Sequence, residues 1–185
     1  MTSRDEKLLS AARSVFLRYG VSKTTMHDIA AEAGVARQTL YNAYPGKDAI
    51  LRATLKATGQ EGLDAVAAQW GAQTTLAEKL DTYFAMVPLA WYDLAQSCPA
   101  ATDLVDGMHN IAKEELIAIG ARWTTALTAL LRQHAPDHPN PEAIADLIQS
   151  ASFNAKVDAP DRETVARRLA VLKAAILALL NLSEA

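Results

Sequence analysis

A single cysteine, Cys98, stands in the 185 residues of this chain. That excludes an internal disulfide and any multi-cysteine metal site. Aromatic residues make up only 6% of the sequence, and alternating runs of β-branched residues are missing, so a sheet has little to be built from. The longest apolar run, Ala174 to Leu180, falls far short of the roughly 20 residues a membrane span needs. The opening MTSRDEKLL lacks the apolar core of a signal peptide. These absences set aside the secreted, disulfide-stapled and membrane classes and make a reducing cytoplasm the expected setting.

Half of the chain is apolar, most of it Ala and Leu, the residues that lead the helix-propensity ranking. An all-α protein of about nine helices is expected, and the length allows a substantial core in one domain or two. The net charge of −3 hides an asymmetry. Residues 1–56 hold 9 Lys/Arg against 5 Asp/Glu, a balance of +4, while the remainder holds 9 against 16, a balance of −7. A basic head on an acidic body fits a localised contact with a polyanion; a chance division of solvated charges fits it equally.

The helical periods and stops are clear along most of the chain. The first helix carries Leu8, Leu9, Ala12, Val15, Phe16 and Tyr19 at helical spacing and ends at Gly20. Thr25 caps the second, with Asp28 in its first turn and Ile29, Ala30 and Ala33 as its inner face. Gly34 sits where a left-handed residue is needed to turn the chain. The third helix covers about Ala36 to Tyr44 and is stopped by Pro45-Gly46. The fourth runs from Lys47 to Trp70 through Gly59 and Gly62. Thr75 and Glu78 form a capping box for the fifth, which contains Pro88 and ends near Ser97. A short sixth helix is expected over Ala100 to Asp106, a seventh over His109 to His134, an eighth opened by Asn140-Pro141, and a ninth from Asp158–Asp161 to Leu182.

The segment from Thr25 to Leu51, TMHDIAAEAGVARQTLYNAYPGKDAIL, carries the sharpest functional signal. On the third helix Leu40 and Tyr44 are four apart and share a packing side. Arg37, Gln38, Tyr41 and Asn42 fall on the other side, and these residue types suit base edges and phosphates. Two short helices around a tight turn, with such a face on the second, read as a helix-turn-helix that places one helix in the major groove of double-stranded DNA. A plain αα-corner with a polar outer face gives the same pattern.

The core AGV-x-x-x-TLY-x-x-(aromatic)-x-x-K within this stretch closely resembles the N-terminal domain of the TetR family of transcriptional regulators. The likeness extends through the first helix. It implies a helix-turn-helix DNA-binding domain over residues 1–47 and a helical effector-binding and dimerisation domain over residues 48–185. It implies phosphate contacts from Thr25 and His27, base reading by Arg37 and Gln38 with Arg37 favouring guanine, and backbone or thymine-methyl contacts from Thr39 and Tyr41. Asn42 stands where the family usually has a larger aromatic, Ala43 often replaces a histidine or tyrosine, and Ala36 replaces a frequent serine cap. Lys47, with free backbone N–H groups at the start of the fourth helix, is expected to meet a phosphate.

Behind this head the signals are broader. The ninth helix is apolar all round from Ala174 to Leu180, more than one core-facing stripe needs. A homodimer interface is expected from Ile144, Leu147, Ile148, Leu169, Leu172, Ile176, Leu179 and Leu180 on the eighth and ninth helices; a central buried helix explains the same surplus. Phe84, Val87, Trp91, Tyr92, Met108, His109 and Trp123 are the candidate pocket for an apolar or aromatic small-molecule effector, or else plain core. The expected function is a ligand-released repressor on a palindromic operator, with no cofactor, metal or catalytic set. The alternatives are a helical enzyme built on acidic pairs such as Asp103 with Asp106 or Glu114 with Glu115, and a helical interaction module that binds no DNA.

Overall fold

The computed structural model describes residues 3–98, 100 and 110–182, and every described element is helical. In chain order they are α1 (Ser3–Lys23), α2 (Met26–Glu32), α3 (Arg37–Ala43), α4 (Lys47–Trp70), α5 (Leu76–Phe84), a π turn (Ala85–Leu89), α6 (Ala90–Ser97), α7 (Asn110–His134), α8 (Pro141–Asn154) and α9 (Arg162–Leu179). The sixth helix expected at Ala100 to Asp106, together with Asp103, Met108 and His109, lies outside the described residues apart from Ala100. The chain divides into two compact units, residues 1–60 with 95–119, and residues 61–94 with 120–185. The division falls inside α4, α6 and α7.

The first unit is built around α1. Leu8, Leu9, Ala12, Val15 and Phe16 are buried as their spacing dictates, against Ile29, Ala30, Leu40, Ile50 and Leu51 from the next three helices and Ala112 from α7. Each such large side chain contributes about 1.5–3 kcal/mol through burial. Tyr19 departs from the expected stripe and is 46% exposed. Gly20 breaks the helix immediately after it, at φ 77° and ψ 165°, and the core beyond Phe16 is filled by Val21 and Met26. The Tyr19 ring instead lies 5.7 Å from the Arg18 guanidinium.

The turn between α2 and α3 closes as a Schellman motif. Gly34 adopts φ +62°, its N–H donates to the Ala31 carbonyl, and Val35 N–H donates to that of Ala30, both at 3.0 Å. These bonds satisfy carbonyls that the end of α2 would otherwise leave orphaned.

In the second unit Leu80, Tyr83, Phe84, Trp123, Leu127, Leu131, Ile148, Leu169 and Ile176 form the interior. Thr75 accepts from Glu78 N–H and the Glu78 carboxylate accepts back from Thr75 N–H, completing the expected capping box. Pro88, which lacks an N–H, is accommodated by the π turn rather than by a helix end, and helical structure resumes at Ala90. Pro141 occupies the first turn of α8, but the Asn140 side chain makes no cap bond; its backbone N–H donates to His138 Nδ1 at 3.3 Å. Asp161 caps α9 by accepting from Thr164 N–H. Ion pairs join α9 to α5 and α6, Lys173 to Asp81 and Arg162 to Asp93, each at 2.9 Å.

Gly20 holds a backbone region open only to glycine without strain. Gly20→Ala is expected to lower the unfolding free energy by about 1–3 kcal/mol, measured by urea denaturation against the parent chain.

Candidate nucleic-acid interface

α3 is short and is set by what lies behind it. Leu40 is fully buried and Tyr44 packs against the same core. Arg37, Gln38, Tyr41 and Asn42 are all exposed, and Thr39 is half-buried. The helix begins at Ala36 with no side-chain cap bond, as the missing serine leads one to expect.

The exposed face is internally paired. The Arg37 guanidinium lies 5.9 Å from the centre of the Tyr41 ring, and Gln38 Nε2 donates to Asn42 Oδ1 at 2.8 Å. Both pairs span four residues, the spacing at which helical side chains meet. That spacing was present in the sequence but was read there as two faces rather than as two pairs.

At the start of α2, Thr25 and His27 are exposed. Thr25 Oγ1 accepts from Asp28 N–H at 3.2 Å, and Asp28 Oδ2 accepts from Thr25 N–H at 2.9 Å and from its hydroxyl at 2.7 Å. These bonds, the hydroxyl's first, hold the Asp28 carboxyl below its ordinary 3.8. Glu32 near the end of α2 accepts from Arg18 at 3.2 Å and from Ser14 at 3.1 Å, which pins α2 to α1.

Lys47, expected at the start of α4 to meet a phosphate, makes bonds within the first unit. Its ammonium donates to the Val21 carbonyl at 2.8 Å, with the Ser22 carbonyl at 3.5 Å. It thereby ties the start of α4 to the end of α1. A further cation went unnoticed in the sequence. Lys7 Nζ lies 3.9 Å from where a Cβ on Gly34 would stand, beside the turn between α2 and α3. No local spacing marks it, because it reaches the turn only through the packing of α1. Arg52 on α4 binds Glu115 at 2.7 Å and Glu114 at 2.9 Å on α7, so this acidic pair is engaged in an ion pair.

The other predicted groups lie in the second unit. Phe84, Tyr92 and Trp123 are buried, and Val87 and Trp91 are half-buried. Tyr83 joins them, its ring 5.1 Å from Trp123 and 5.6 Å from Phe84. Burial pushes the Tyr83 phenol up to about 12, against the opposing effect of its 3.2 Å hydrogen bond with Ser152. Of the expected interface residues, Ile144, Ile148, Leu169, Ile176 and Leu180 are buried by their own chain, and Leu172 is half-buried. Leu147 and Leu179 are 47% and 51% exposed. Among the described residues no three His, Cys, Asp or Glu side chains are grouped to hold a metal ion, and no helix is long and apolar enough to cross a membrane.

Residues 8–54 match the family model described as bacterial regulatory proteins, tetR family. No curated protein sequence gives a significant match. Among solved structures, the chain is similar to a transcriptional regulator from Cytophaga hutchinsonii, with a TM-score of 0.76 at 17% identity over 94% of this chain and 96% of that one. A TetR-family regulator from Agrobacterium tumefaciens gives 0.67 at 16% identity, covering 94% and 97%. The fatty acid degradation regulator FadR from Bacillus halodurans gives 0.66 at 15% identity, covering 97% and 95%. At these identities the likeness is one of fold.

The Thr25–Asp28 cap makes a pH prediction. A carboxyl held below its ordinary value stabilises the fold fully above that value, and the contribution is lost as pH falls through the lowered one. Thr25→Ala removes the largest cause, so the Asp28 carboxyl is expected to return toward 3.8 in an NMR titration, with the start of α2 less protected from hydrogen exchange.

Proposed function

Through its N-terminal domain the chain belongs to the TetR family of bacterial regulatory proteins, and on that premise we propose that it is a repressor that binds a palindromic operator as a homodimer and is released by a small-molecule effector. The observation that carries this reading is α3 itself. Arg37, Gln38, Tyr41 and Asn42 stand exposed on a helix pinned from behind by Leu40. Arg37 takes the guanine-reading role, a guanidinium being matched to the O6 and N7 acceptors of that base. Gln38 reads a neighbouring base. Thr25, His27, Thr39 and Tyr41 serve phosphate or a thymine methyl. Lys7 joins them as a cation, and Lys47 supports the head while its remaining donor capacity faces phosphate.

Dimerisation is assigned to the exposed apolar stripe on α8 and α9. Val171, Ala174, Ala175, Ala178 and Leu179 repeat at helical spacing on α9 and are all exposed, as is Leu147 on α8. Val171, at 65% exposed, takes the place that the buried Ile144, Ile148, Leu169, Ile176 and Leu180 held in the sequence expectation. A two-fold dimer presents two copies of α3 to half-sites about 34–36 Å apart. The effector is assigned to the aromatic group of the second unit, entering beside the π turn where Val87 and Trp91 are half-buried. It biases DNA binding through α4 and α7, which continue from one unit into the other. The effector shifts the equilibrium only by its differential affinity for the two states, typically 1–3 kcal/mol.

Two measurements test this reading. In vitro selection from a random duplex pool is expected to return two inverted half-sites about one helical turn apart, with binding that falls steeply as salt rises; recovery of unrelated sequences refutes it. Val171→Asp combined with Leu179→Asp is expected to convert a dimer into a folded monomer in analytical ultracentrifugation and to weaken operator binding by at least about 100-fold, since both half-sites are then bound independently. An unchanged sedimentation coefficient places the interface elsewhere.

A further inference from the structure

Gln38 and Asn42 are joined before any DNA arrives, and the chemistry of the bond decides what remains for a base. A primary amide carries two N–H donors and one accepting oxygen. Gln38 Nε2 gives one N–H to Asn42 Oδ1 at 2.8 Å. One N–H and Oε1 are left. That donor–acceptor pair matches the major-groove edge of adenine, where N7 accepts and the N6 amino group donates. An exposed glutamine otherwise samples many rotamers, and ordering it costs free energy on binding. Here part of that ordering precedes the encounter.

Resting on the DNA-binding reading above, we infer that Asn42 is a positioning residue for Gln38, and that the two act as one unit selecting adenine at a single position of each half-site. Arg37 belongs to the separate pair with Tyr41 and acts at a different position. Both Gln38 and Asn42 are exposed, so their replacement leaves the core of the first unit untouched.

The test is selection from a random duplex pool by the full-length chain and by Gln38→Ala, Asn42→Ala, Asn42→Asp, Arg37→Ala and the Gln38→Ala/Asn42→Ala double variant, with affinities then measured on the selected site and its single-base changes. Gln38→Ala is expected to lose at least about 10-fold of preference for adenine at one position. Asn42→Ala loses preference at that same position, and the double variant loses no more than Gln38→Ala alone. Asn42→Asp keeps an accepting oxygen for Gln38, so the adenine preference survives while the added negative charge weakens binding to all sequences alike. Arg37→Ala alters another base pair.

The inference is overturned if the position that depends on Gln38 is not an A·T pair. It is also overturned if Asn42→Ala changes a base pair of its own, or if Asn42→Asp loses the adenine preference as fully as Asn42→Ala. A parent chain that selects no sequence overturns the DNA-binding reading and this inference with it. Selection by the parent with independent effects of the two residues overturns the inference alone.

Discussion

Leu40 is the constraint on which the placement of α3 depends. A helix as short as Arg37–Ala43 is far below the length at which helices persist in water unaided, because the first turn costs more than it returns. It has no side-chain cap at its start. What holds it is the burial of Leu40 to complete exclusion from solvent, with Tyr44 against the same core and the Schellman closure at Gly34 behind it. The orientation of the outward face is therefore fixed by the inward one. Everything else in the first unit supplies the surface that Leu40 enters: the stripe of α1, Ile29 and Ala30 of α2, and Ile50 and Leu51 of α4.

This arrangement separates stability from specificity. Arg37, Gln38 and Asn42 bury little and are paired mainly with neighbours on their own helix, so changes among them leave the fold in place. The reverse applies to Thr25, Asp28, Arg18 and Glu32. The Thr25–Asp28 bonds cap the start of α2, the Arg18–Glu32 bond braces α2 against α1, and together they hold the frame from which α3 projects. Lys47 belongs with this second group through its bond to Val21. Its position at the start of α4 suggested a phosphate, and the carbonyls at the end of α1 are a second claim on its ammonium.

The sequence made the first unit legible because its signals are local. The Thr25 cap, the left-handed Gly34, the Gly20 stop and the Leu40–Tyr44 spacing each act within one turn of chain, and each stands where it was expected. Tyr19 was misjudged because periodicity says which side of a helix a residue occupies, not whether the core extends that far. The cap at Asn140 failed for a related reason: residue type permits a cap, but the backbone at φ −132°, ψ 54° does not present it. The second unit was legible in helix count and boundaries but not in which residues share its interior. Ile144, Ile148, Leu169 and Ile176 look the same in sequence whether they face their own chain or another. Only the packing shows that Val171, Leu147 and Leu179 on these two helices are left exposed.

Arg52, Glu114 and Glu115 all belong to the first unit. Arg52 pairs with Glu114 and Glu115 across α4 and α7, but the arginine and Glu114 are largely exposed, and exposed pairs are weak and salt-screened. Such a pair adjusts a balance and does not set it. α4 and α7 continue from one unit into the other, and their backbone hydrogen bonds do not depend on ionic strength. α4 keeps its helix from Lys47 to Trp70 through two interior glycines, each of which costs about 1 kcal/mol relative to alanine. At Gly62 a Cβ would meet nothing within 4 Å, so sterics at that position do not require a glycine. The glycines leave α4 continuous but with lower helix propensity midway, next to the division between the two units.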